Sequence, residues 1–260
     1  MARCTAGYIS DAACAVIYTT FAEVYDQLMD QSLYQRWRDY VVKRVKPSHQ
    51  PLLELAGGSG FLAVLLAQSG YQVTDFDLSE EMLTLAEEKA DAAGVALTLL
   101  QGDMRDLETL PEFPIVTCFD DSICYMQNLD EVQQVFTQVA SKLPTGGDFL
   151  FDAHSLYQMD QVFPGYMYNY QTDDFAFLWN SFIGEHPHSI EHDLTFFMYD
   201  EALDAYKPLT ETHKERTYPL ADYLRALQNA GFEKIEVTDD FGNEPVGPES
   251  TRWFFHARKK

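Results

Sequence analysis

Short apolar runs alternate along the chain with longer stretches in which apolar residues recur at helical spacing. The runs that predict strands are Pro51 to Leu55, Gln72 to Asp77, Ala96 to Gln101, Ile115 to Phe119 and Asp148 to Ala153. The intervening stretches that predict helices are Gly60 to Gln68, Ser79 to Ala93 and Leu129 to Leu143. Because each helix joins one buried strand to the next, the pattern predicts right-handed crossovers and a parallel sheet covered on both faces.

Period-2 alternation replaces this pattern between about Phe175 and Arg216, where turn-like segments separate three runs. These runs predict a three-stranded antiparallel unit. The earlier pattern resumes with an amphipathic helix after Pro219 and two strands, at 235–238 and 253–257. We therefore expect an α/β fold with a doubly wound, mostly parallel seven-stranded sheet and a small antiparallel β insertion.

The same changes of pattern predict the domain organisation. Residues 18–154 and 217–260 are expected to form one α/β domain, and residues 155–216 an insertion that covers the carboxyl edge of its sheet. Residues 1–17 are rich in small side chains and show no clean period, so they are expected to be an extension of doubtful order.

The charge balance is strongly acidic, with 18 Lys and Arg against 41 Asp and Glu and a formal net charge of −23 over 260 residues. Such a field repels phosphate backbones, which disfavours nucleic acid and anionic membranes as partners. The four cysteines lack metal-ligand spacing, and no apolar run approaches the roughly 18 residues of a membrane span. We expect a cytoplasmic monomer or homodimer that binds no metal.

A glycine-rich turn follows the first predicted strand, in the segment LLELAGGSG that ends at Gly60. Small residues at a turn from strand to helix let a ligand approach the backbone, and the free N–H groups of a helix start can face an anion. Taken alone, the motif is also typical of an ordinary tight turn. Glu54 in this segment adds a carboxylate that suits an amino group.

Acidic residues end the next two predicted strands. Asp77 can accept hydrogen bonds from both hydroxyls of a ribose, and Asp103 can accept from the amino group of adenine while Met104 offers a backbone amide. Each acid has an ordinary alternative role, as a helix cap or a loop residue. However, all three motifs end successive strands, the edge where open α/β sheets bind ligands. The conjunction predicts a nucleotide-like ligand site.

These motifs resemble the class I S-adenosylmethionine-dependent methyltransferases, over about Phe21 to Lys260. The resemblance includes VTCFDDSICYM after the fourth strand, LPTGGDFLFDAHS at the fifth, and the closing NAGFEKIEV. More narrowly, FAEVYDQLM, FDAHS, HDLTFF and ETHKERTYP resemble an uncharacterised bacterial subfamily of small methyltransferases. The resemblance implies a Rossmann-like fold, methyltransferase activity and S-adenosyl-L-methionine as cofactor.

The resemblance also implies which residues hold the cofactor. ELAGGSG holds the methionine end, VTDFDLS the ribose, QGDMRDL the adenine, and an N-terminal helix lies over the bound cofactor. The residues implied are Tyr25, Glu54, Ala56, Gly57, Gly58, Gly60, Asp77, Leu78, Met82, Asp103, Met104, Phe119 and Asp120.

Two positions depart from the family pattern. Ala56 stands where the first glycine of the loop is usual, which is tolerable at negative φ but strained by roughly 1 kcal/mol in a left-handed conformation. Pro114 replaces an acid at the start of the fourth strand, where proline is allowed. Neither change removes a contact that the inferred site requires.

Other functions remain open. Residues 58–63 also satisfy G-x-G-x-x-A, the fingerprint of a nicotinamide or flavin oxidoreductase, although about 50 residues precede the loop and Glu54 would oppose a pyrophosphate. A non-catalytic regulator that binds the cofactor is a second alternative, and an RNA methyltransferase is a third. Because the chain is acidic and no Asn/Asp-Pro-Pro-Tyr motif follows strand four, we favour a small-molecule acceptor methylated by in-line transfer.

Catalytic candidates lie after the fourth and fifth strands. Asp121 could orient an amine acceptor or take its proton, and His154 lies at the expected active edge; a helix cap and a structural loop histidine are their alternatives. The insertion adds side chains that could contribute to an acceptor site, although aromatic residues on a half-buried sheet more often belong to the core: Tyr166, Tyr168, Tyr170, Trp179, His186, His188 and His192.

Overall fold

A twisted, mostly parallel sheet organises the molecule, as seen in a computed structural model that describes residues 31–172, 175–200 and 203–260. Tyr25 and the extension at 1–17 lie outside the described residues. The strands that come from the predicted α/β part are β1 (Pro51–Leu55), β2 (Gln72–Asp77), β3 (Thr98–Gln101), β4 (Ile115–Cys118), β5 (Asp148–His154), β10 (Phe232–Asp239), β11 (Glu244–Pro245) and β12 (Arg252–Lys259). Their order across the sheet is β11-β10-β12-β5-β4-β1-β2-β3.

Strand direction reverses only near one end of this sheet. Neighbouring strands from β3 to β5 pair in parallel, whereas β12 is antiparallel to both β5 and β10. The short β11, which sequence patterning did not predict, brings the described sheet to eight strands instead of seven. The predicted doubly wound α/β fold is confirmed, and β1 lies at its switch point, paired with both β2 and β4.

Helices cover both faces of the sheet. They are α1 (Gln31–Arg44), α2 (Phe61–Gln68), α3 (Glu80–Ala93), α4 (Leu129–Lys142) and α5 (Leu220–Asn229). The predicted helix starts are explained by capping: Ser79 Oγ accepts from the Met82 amide at 3.2 Å, and Asn128 Oδ1 accepts from the Glu131 amide at 2.9 Å. No helix among the described residues is long and apolar enough to cross a membrane.

Two apolar layers hold these helices to the sheet. On one face, Phe151 of β5 stacks on Phe255 of β12, with ring centroids 4.3 Å apart, beneath α4 and α5. On the other face, α1 and α2 cover Leu52 and Phe254, with Trp37 and Tyr40 of α1 fully enclosed. Because residues of α1 are buried against the sheet, this helix is part of the α/β core.

A second, antiparallel sheet is formed between β5 and α5. Its strands, in the order β6-β7-β8-β9, are β6 (Met167–Gln171), β7 (Phe175–Ile183), β8 (Ser189–Asp200) and β9 (Ala205–Arg216). The sequence predicted three of these strands. Strand β6 was missed because all five of its residues are exposed, so its side chains do not alternate between buried and exposed faces.

The turn after β1 contains a backbone conformation that alanine adopts at a cost. Ala56 has φ 53°, in the left-handed region, where a Cβ crowds the backbone. We expect Ala56→Gly to raise the free energy of unfolding by about 1 kcal/mol, because glycine adopts this φ without strain. Urea unfolding followed by circular dichroism measures the change.

The control is Ala67→Gly in α2, where the helical alanine should favour the wild type and the variant should lose roughly 1 kcal/mol. An Ala56→Gly variant no more stable than wild type would contradict the strain interpretation.

Candidate functional site

A cavity of about 680 Å³ opens at the carboxyl ends of β1 to β4, beside the switch point. All predicted cofactor-binding residues except Gly60 and Tyr25 line it: Glu54, Ala56, Gly57, Gly58, Asp77, Leu78, Met82, Asp103, Met104, Phe119 and Asp120. Gly60 lies just behind the lining at the start of α2, and Tyr25 lies outside the described residues. Four strand ends therefore contribute to one crevice, and they include the three, of β1, β2 and β3, that the sequence predicted to meet.

The glycines of the turn have three different structural reasons. Gly58 has φ +58° and lines the cavity, and a Cβ there would meet no atom of the described residues within 4 Å. Gly60 has φ +81°, and a Cβ there would lie 2.6 Å from that of Ala86, so glycine allows close packing on α3. At Gly57 a Cβ would lie only 2.0 Å from an oxygen of Asp75. Of these three glycines, Gly58 is the one whose lack of a side chain leaves space in the cavity.

Asp77 at the end of β2 anchors the turn. Its Oδ2 accepts from the Gly58 amide at 2.9 Å, and its Oδ1 accepts from the Ser79 amide at 2.9 Å. Ser79, not Asp77, provides the side-chain cap of α3. Because each carboxylate oxygen has more than one lone pair, Asp77 can accept further hydrogen bonds from a ligand in the cavity.

The next acid along this edge carries its own cation. The Arg105 guanidinium donates to both oxygens of Asp103, at 2.6 to 3.1 Å, and also lies 3.7 Å from Glu131. These hydrogen bonds from Arg105 hold the pKa of Asp103 below its usual value. Asp103 is therefore an ionised acceptor at the cavity wall, already partly satisfied, and an adenine amino group would have to share it.

Glu54 brings a buried carboxyl to the floor of the cavity. It is 2% exposed, and the Thr117 hydroxyl donates to its Oε2 at 2.5 Å. Burial, with Asp75 and Asp152 nearby, raises its pKa to about 8 despite the hydrogen bond from Thr117. A cationic amino group placed against Glu54 would restore the ionised form, because an opposite charge favours it.

Asp75 is a second buried carboxyl, which sequence reasoning missed. It pairs directly with Glu54 across β2 and β1, and neither of its oxygens has a hydrogen-bond partner among the residues that the structure describes. Burial, followed by repulsion from Asp77, raises its pKa to about 7. The alternation of Asp75 and Asp77 in one strand was the available signal, since period 2 places both on one face.

Aromatic side chains from α1 and α2 form another wall. Tyr34 stacks on Phe61 with ring centroids 5.2 Å apart, and both line the cavity together with Trp37. The sequence predicted that an N-terminal helix covers the cofactor but assigned the contact to Tyr25. Within the described residues, α1 provides this wall through Tyr34 and Trp37.

The wall opposite the glycine turn joins the segment after β4 to β9. Tyr125 closes a short 3₁₀ helix (Ser122–Tyr125), and its hydroxyl lies 2.7 Å from Nδ1 of His213. Nε2 of His213 lies 3.1 Å from Glu211, and all three side chains line the cavity. None was predicted as a site residue. Their signal was the alternation in ETHKERTYP, which places Glu211 and His213 on one face of a strand.

The predicted catalytic candidates lie behind this wall instead of lining it. His154 is 8% exposed and Asp121 is 9% exposed, with His154 Nε2 3.2 Å from Asp121 Oδ1. Arg252 Nη2 lies 2.5 Å from the same Asp121 oxygen, and Glu215 lies 3.7 Å from His154. Burial opposes ionisation of Asp121, but His154 and Arg252 outweigh it and hold its pKa well below its usual range. The catalytic role of His154 and Asp121 stays a prediction.

The histidines predicted in the insertion separate in the structure. His188 pairs with Asp160 at 2.8 Å, whereas the buried His192 accepts from the Trp179 indole at 3.1 Å and lies 2.7 Å from the Ser181 hydroxyl. Trp179 also packs edge-on against Tyr166. Tyr168 and Tyr170 on β6 are 43% and 44% exposed. None of these side chains lines the cavity.

Comparison with known proteins places this geometry in one family. A family model described as a methyltransferase domain matches residues 52–147. A protein of Geobacillus sp. (strain WCH70), provisionally named as a methyltransferase, is 37% identical over 246 residues, which is 93% of this chain and 99% of that protein.

Solved structures show the same fold. An S-adenosylmethionine-dependent methyltransferase from Clostridium acetobutylicum superimposes with a TM-score of 0.82 at 28% identity, covering 94% of this chain and 99% of that one. The sugar N-methyltransferase KedS8 from a Streptoalloteichus species superimposes with a TM-score of 0.72 at 21% identity, covering 100% of this chain and 99% of that one.

The raised pKa of Asp75 predicts a pH-dependent stability. The folded state keeps a proton that the unfolded chain loses above about pH 4, so this contribution is full below that pH and is lost as the pH rises through about 7. Between about pH 5 and pH 8 the free energy of unfolding of the wild type should fall by roughly 1 to 3 kcal/mol more than that of Asp75→Asn. Urea unfolding at both pH values measures the difference.

Asp91→Asn, an exposed change on α3, is the control and should keep the pH dependence of the wild type. Equal losses in wild type and Asp75→Asn would show that Asp75 is ionised throughout this range.

Proposed function

The chain belongs to the class I S-adenosylmethionine-dependent methyltransferases, and we propose that it methylates a small molecule within the cavity at the carboxyl ends of β1 to β4. One observation carries the proposal: Glu54 and Gly58, at the end of β1 and in the turn after it, line the same cavity as Asp77 at the end of β2. They offer a carboxyl, an open backbone and a carboxylate to a ligand that contains an amino group, a sulfonium and a ribose.

The residues present fit this cofactor. The carboxyl of Glu54 is buried and suits an ammonium group, while Asp77 keeps acceptor capacity for ribose hydroxyls. Leu78 is 68% exposed although it is apolar, and it lines the cavity near Met82. These two side chains would cover a purine ring, and Asp103 would receive its amino group.

S-adenosylmethionine, when bound, supplies an activated methyl group on a positively charged sulfur. The part of the chain is to orient an acceptor in line with the methyl–sulfur bond and to exclude water. In-line positioning alone supplies a large share of such rate accelerations, since it replaces a bimolecular encounter by a preformed one. Tyr34 and Trp37 on one side, and Tyr125 on the other, enclose the space next to the turn for this purpose.

The charges around the cavity favour a small acceptor over RNA. Asp77, Asp103, Glu131, Glu211 and other acids line it, and Arg105 is the only lysine or arginine among the described lining residues. That guanidinium is already bound to Asp103. A phosphate backbone would meet repulsion here and across a surface of net charge −23. The structural similarity to KedS8, which is named for a sugar substrate, agrees with this choice.

Gly58 allows a direct test of the cofactor site. We expect Gly58→Ala to lower the affinity for S-adenosylhomocysteine by about tenfold or more, because its Cβ would project into the space that the ligand needs. Isothermal titration calorimetry measures the dissociation constant.

Gly146→Ala is a matched control. Gly146 also has positive φ, 80°, with open space around a Cβ, but it lies in the turn before β5, away from the cavity. Both variants should lose similar stability from backbone strain, and only Gly58→Ala should lose affinity. Equal affinities in the two variants would place the ligand elsewhere.

The acceptor class is tested by following tritium from methyl-labelled S-adenosylmethionine. The enzyme is incubated with a deproteinised small-molecule extract of bacterial cells and, separately, with total bacterial RNA. We expect label to enter the small-molecule extract at least about tenfold above a reaction without enzyme, with RNA unlabelled. Transfer to RNA alone would overturn the small-molecule proposal, and transfer to neither would refute it as well.

A further inference from the structure

Tyr125, His213 and Glu211 form a hydrogen-bonded chain along the cavity wall. Glu211 in its ionised form only accepts hydrogen bonds, so the proton of a neutral His213 lies on Nε2, which is 3.1 Å from Glu211. Nδ1 of His213 is then an acceptor, and the Tyr125 hydroxyl, 2.7 Å away, donates to it. The pairing assigns one direction of proton movement, from Tyr125 toward His213.

Two further hydrogen bonds hold Tyr125, His213 and Glu211 together by joining the segments that carry them. The Gln127 side chain donates to the Lys214 carbonyl at 3.1 Å, and Arg216 donates to the Gln127 carbonyl at 2.9 Å. These bonds join β9 to the segment that carries Tyr125. As a result, the antiparallel sheet contributes two side chains to a cavity otherwise built by the α/β domain.

Acidic groups surround this end of the cavity. Glu131 and Glu211 line it in addition to the acids assigned to the cofactor, one of which is Asp120, and Arg105 is bound to Asp103. An acceptor that arrives as a cation is favoured in such a field, whereas a carboxylate or phosphate ester is repelled. An amine is the cationic acceptor that must lose a proton before its nitrogen can attack a methyl group.

We propose that the acceptor is a small protonated amine, and that Tyr125 takes its proton while passing its own hydroxyl proton to His213. The proposal rests on the small-molecule methyltransferase function. Tyr125 is the group that contacts the acceptor. His213 and Glu211 are positioning residues: His213 accepts the proton and Glu211 balances its charge. Together the three residues form a proton relay.

Proton transfer through the relay comes first, and methyl transfer follows. The ammonium group gives one proton to the Tyr125 oxygen, the Tyr125 hydroxyl proton moves to His213 Nδ1, and the Glu211 carboxylate faces the imidazolium that forms. The free amine then attacks the methyl carbon, a carbon–nitrogen bond forms, and the carbon–sulfur bond breaks with its electron pair left on sulfur. The products are a methylated ammonium, S-adenosylhomocysteine and one proton, which leaves His213 for solvent.

The small-molecule extract is first separated on a cation-exchange resin into a retained and an unretained fraction. Each fraction is then incubated with the full-length enzyme and labelled S-adenosylmethionine. We expect the enzyme to transfer label to compounds of the retained fraction. Label confined to the unretained fraction would overturn the amine. If S-adenosylhomocysteine binds but neither fraction is labelled, the small-molecule function itself fails, and the relay fails with it.

The relay is tested with Tyr125→Phe and His213→Gln. The rates are measured with labelled S-adenosylmethionine and a saturating amount of the extract fraction that accepts the label. At about pH 7 each should lower the maximal rate by about tenfold or more while the dissociation constant for S-adenosylhomocysteine changes less than about twofold. At about pH 9 the loss should shrink, because more of the amine is then already deprotonated in solution. Four other titratable groups face Tyr125 and His213. Glu211 lies on the same strand as His213, His192 lies opposite His213 in the β8–β9 ladder, and Asp120 and Glu131 lie on other walls of the cavity.

Tyr199→Phe and His188→Gln are the controls, since each loses a hydrogen bond, to Asp204 or Asp160, outside the cavity lining. Both should keep the wild-type rate. A rate loss in Tyr125→Phe and His213→Gln that is equal at both pH values shows a structural role and overturns the relay, as would wild-type rates in both variants.

Discussion

A buried cluster of charges centred on Asp152 ties the walls of the active site together. Asp152 is fully buried at the carboxyl end of β5, and its Oδ2 accepts from the Trp37 indole at 2.7 Å and from Arg252 at 2.9 Å. Its Oδ1 accepts from the Asp121 amide at 2.8 Å. One carboxylate thus joins α1, β12 and the segment after β4, three parts of the chain that are distant in sequence.

Such a cluster persists only when its charges satisfy one another. Removing one partner from a buried ion pair leaves an uncompensated charge, which typically costs about 3 to 5 kcal/mol. Arg252 binds both Asp152 and Asp121, and it lies over the Trp37 ring at 5.5 Å. Burial, with repulsion from Asp121, raises the pKa of Glu215 well above its usual value, which favours the neutral form of this neighbour beside the ionised Asp121. The net charge inside the cluster is thereby limited.

The cluster also explains an unusual stretch of backbone. Asp120 and Asp121 both have positive φ, 55° and 49°, a conformation that costs non-glycine residues free energy. The hydrogen bonds of Asp121 to Asp152 and Arg252 hold this turn in place. The turn starts the 3₁₀ helix that ends at Tyr125. The position of a residue on the cavity wall therefore depends on an ion pair that never contacts the cavity.

Much of the fold could be predicted from the sequence because it follows from hydrophobic periodicity and local chemistry. Strand β2 has the bounds that its apolar run predicted, and α3 lies within one residue of its predicted bounds because Ser79 and Gly94 cap it locally. Asp77 and the glycine turn were predictable as cavity residues for the same reason. They lie beside the strand ends that place them.

The parts that were missed depend on contacts between segments far apart in sequence. Nothing near Arg252 indicates that it crosses to Asp121, 131 positions away. In the same way, His213 is one of several histidines in an alternating strand, and only the packing of the second sheet brings it to Tyr125, 88 positions away. His154 was read as facing the cavity because it ends β5, yet the side chain turns to the interior cluster. Strand position alone did not reveal that direction.

The close approach of Gly57 and Asp75 links the evolution of two positions. A Cβ at position 57 would lie 2.0 Å from a carboxyl oxygen of Asp75, so introducing a side chain there first requires the carboxyl of Asp75 to move. The reverse order, shortening position 75 first, leaves a small void and no collision. The size of the side chain tolerated at position 57, in the turn after β1, is therefore coupled to the size and position of the side chain at position 75.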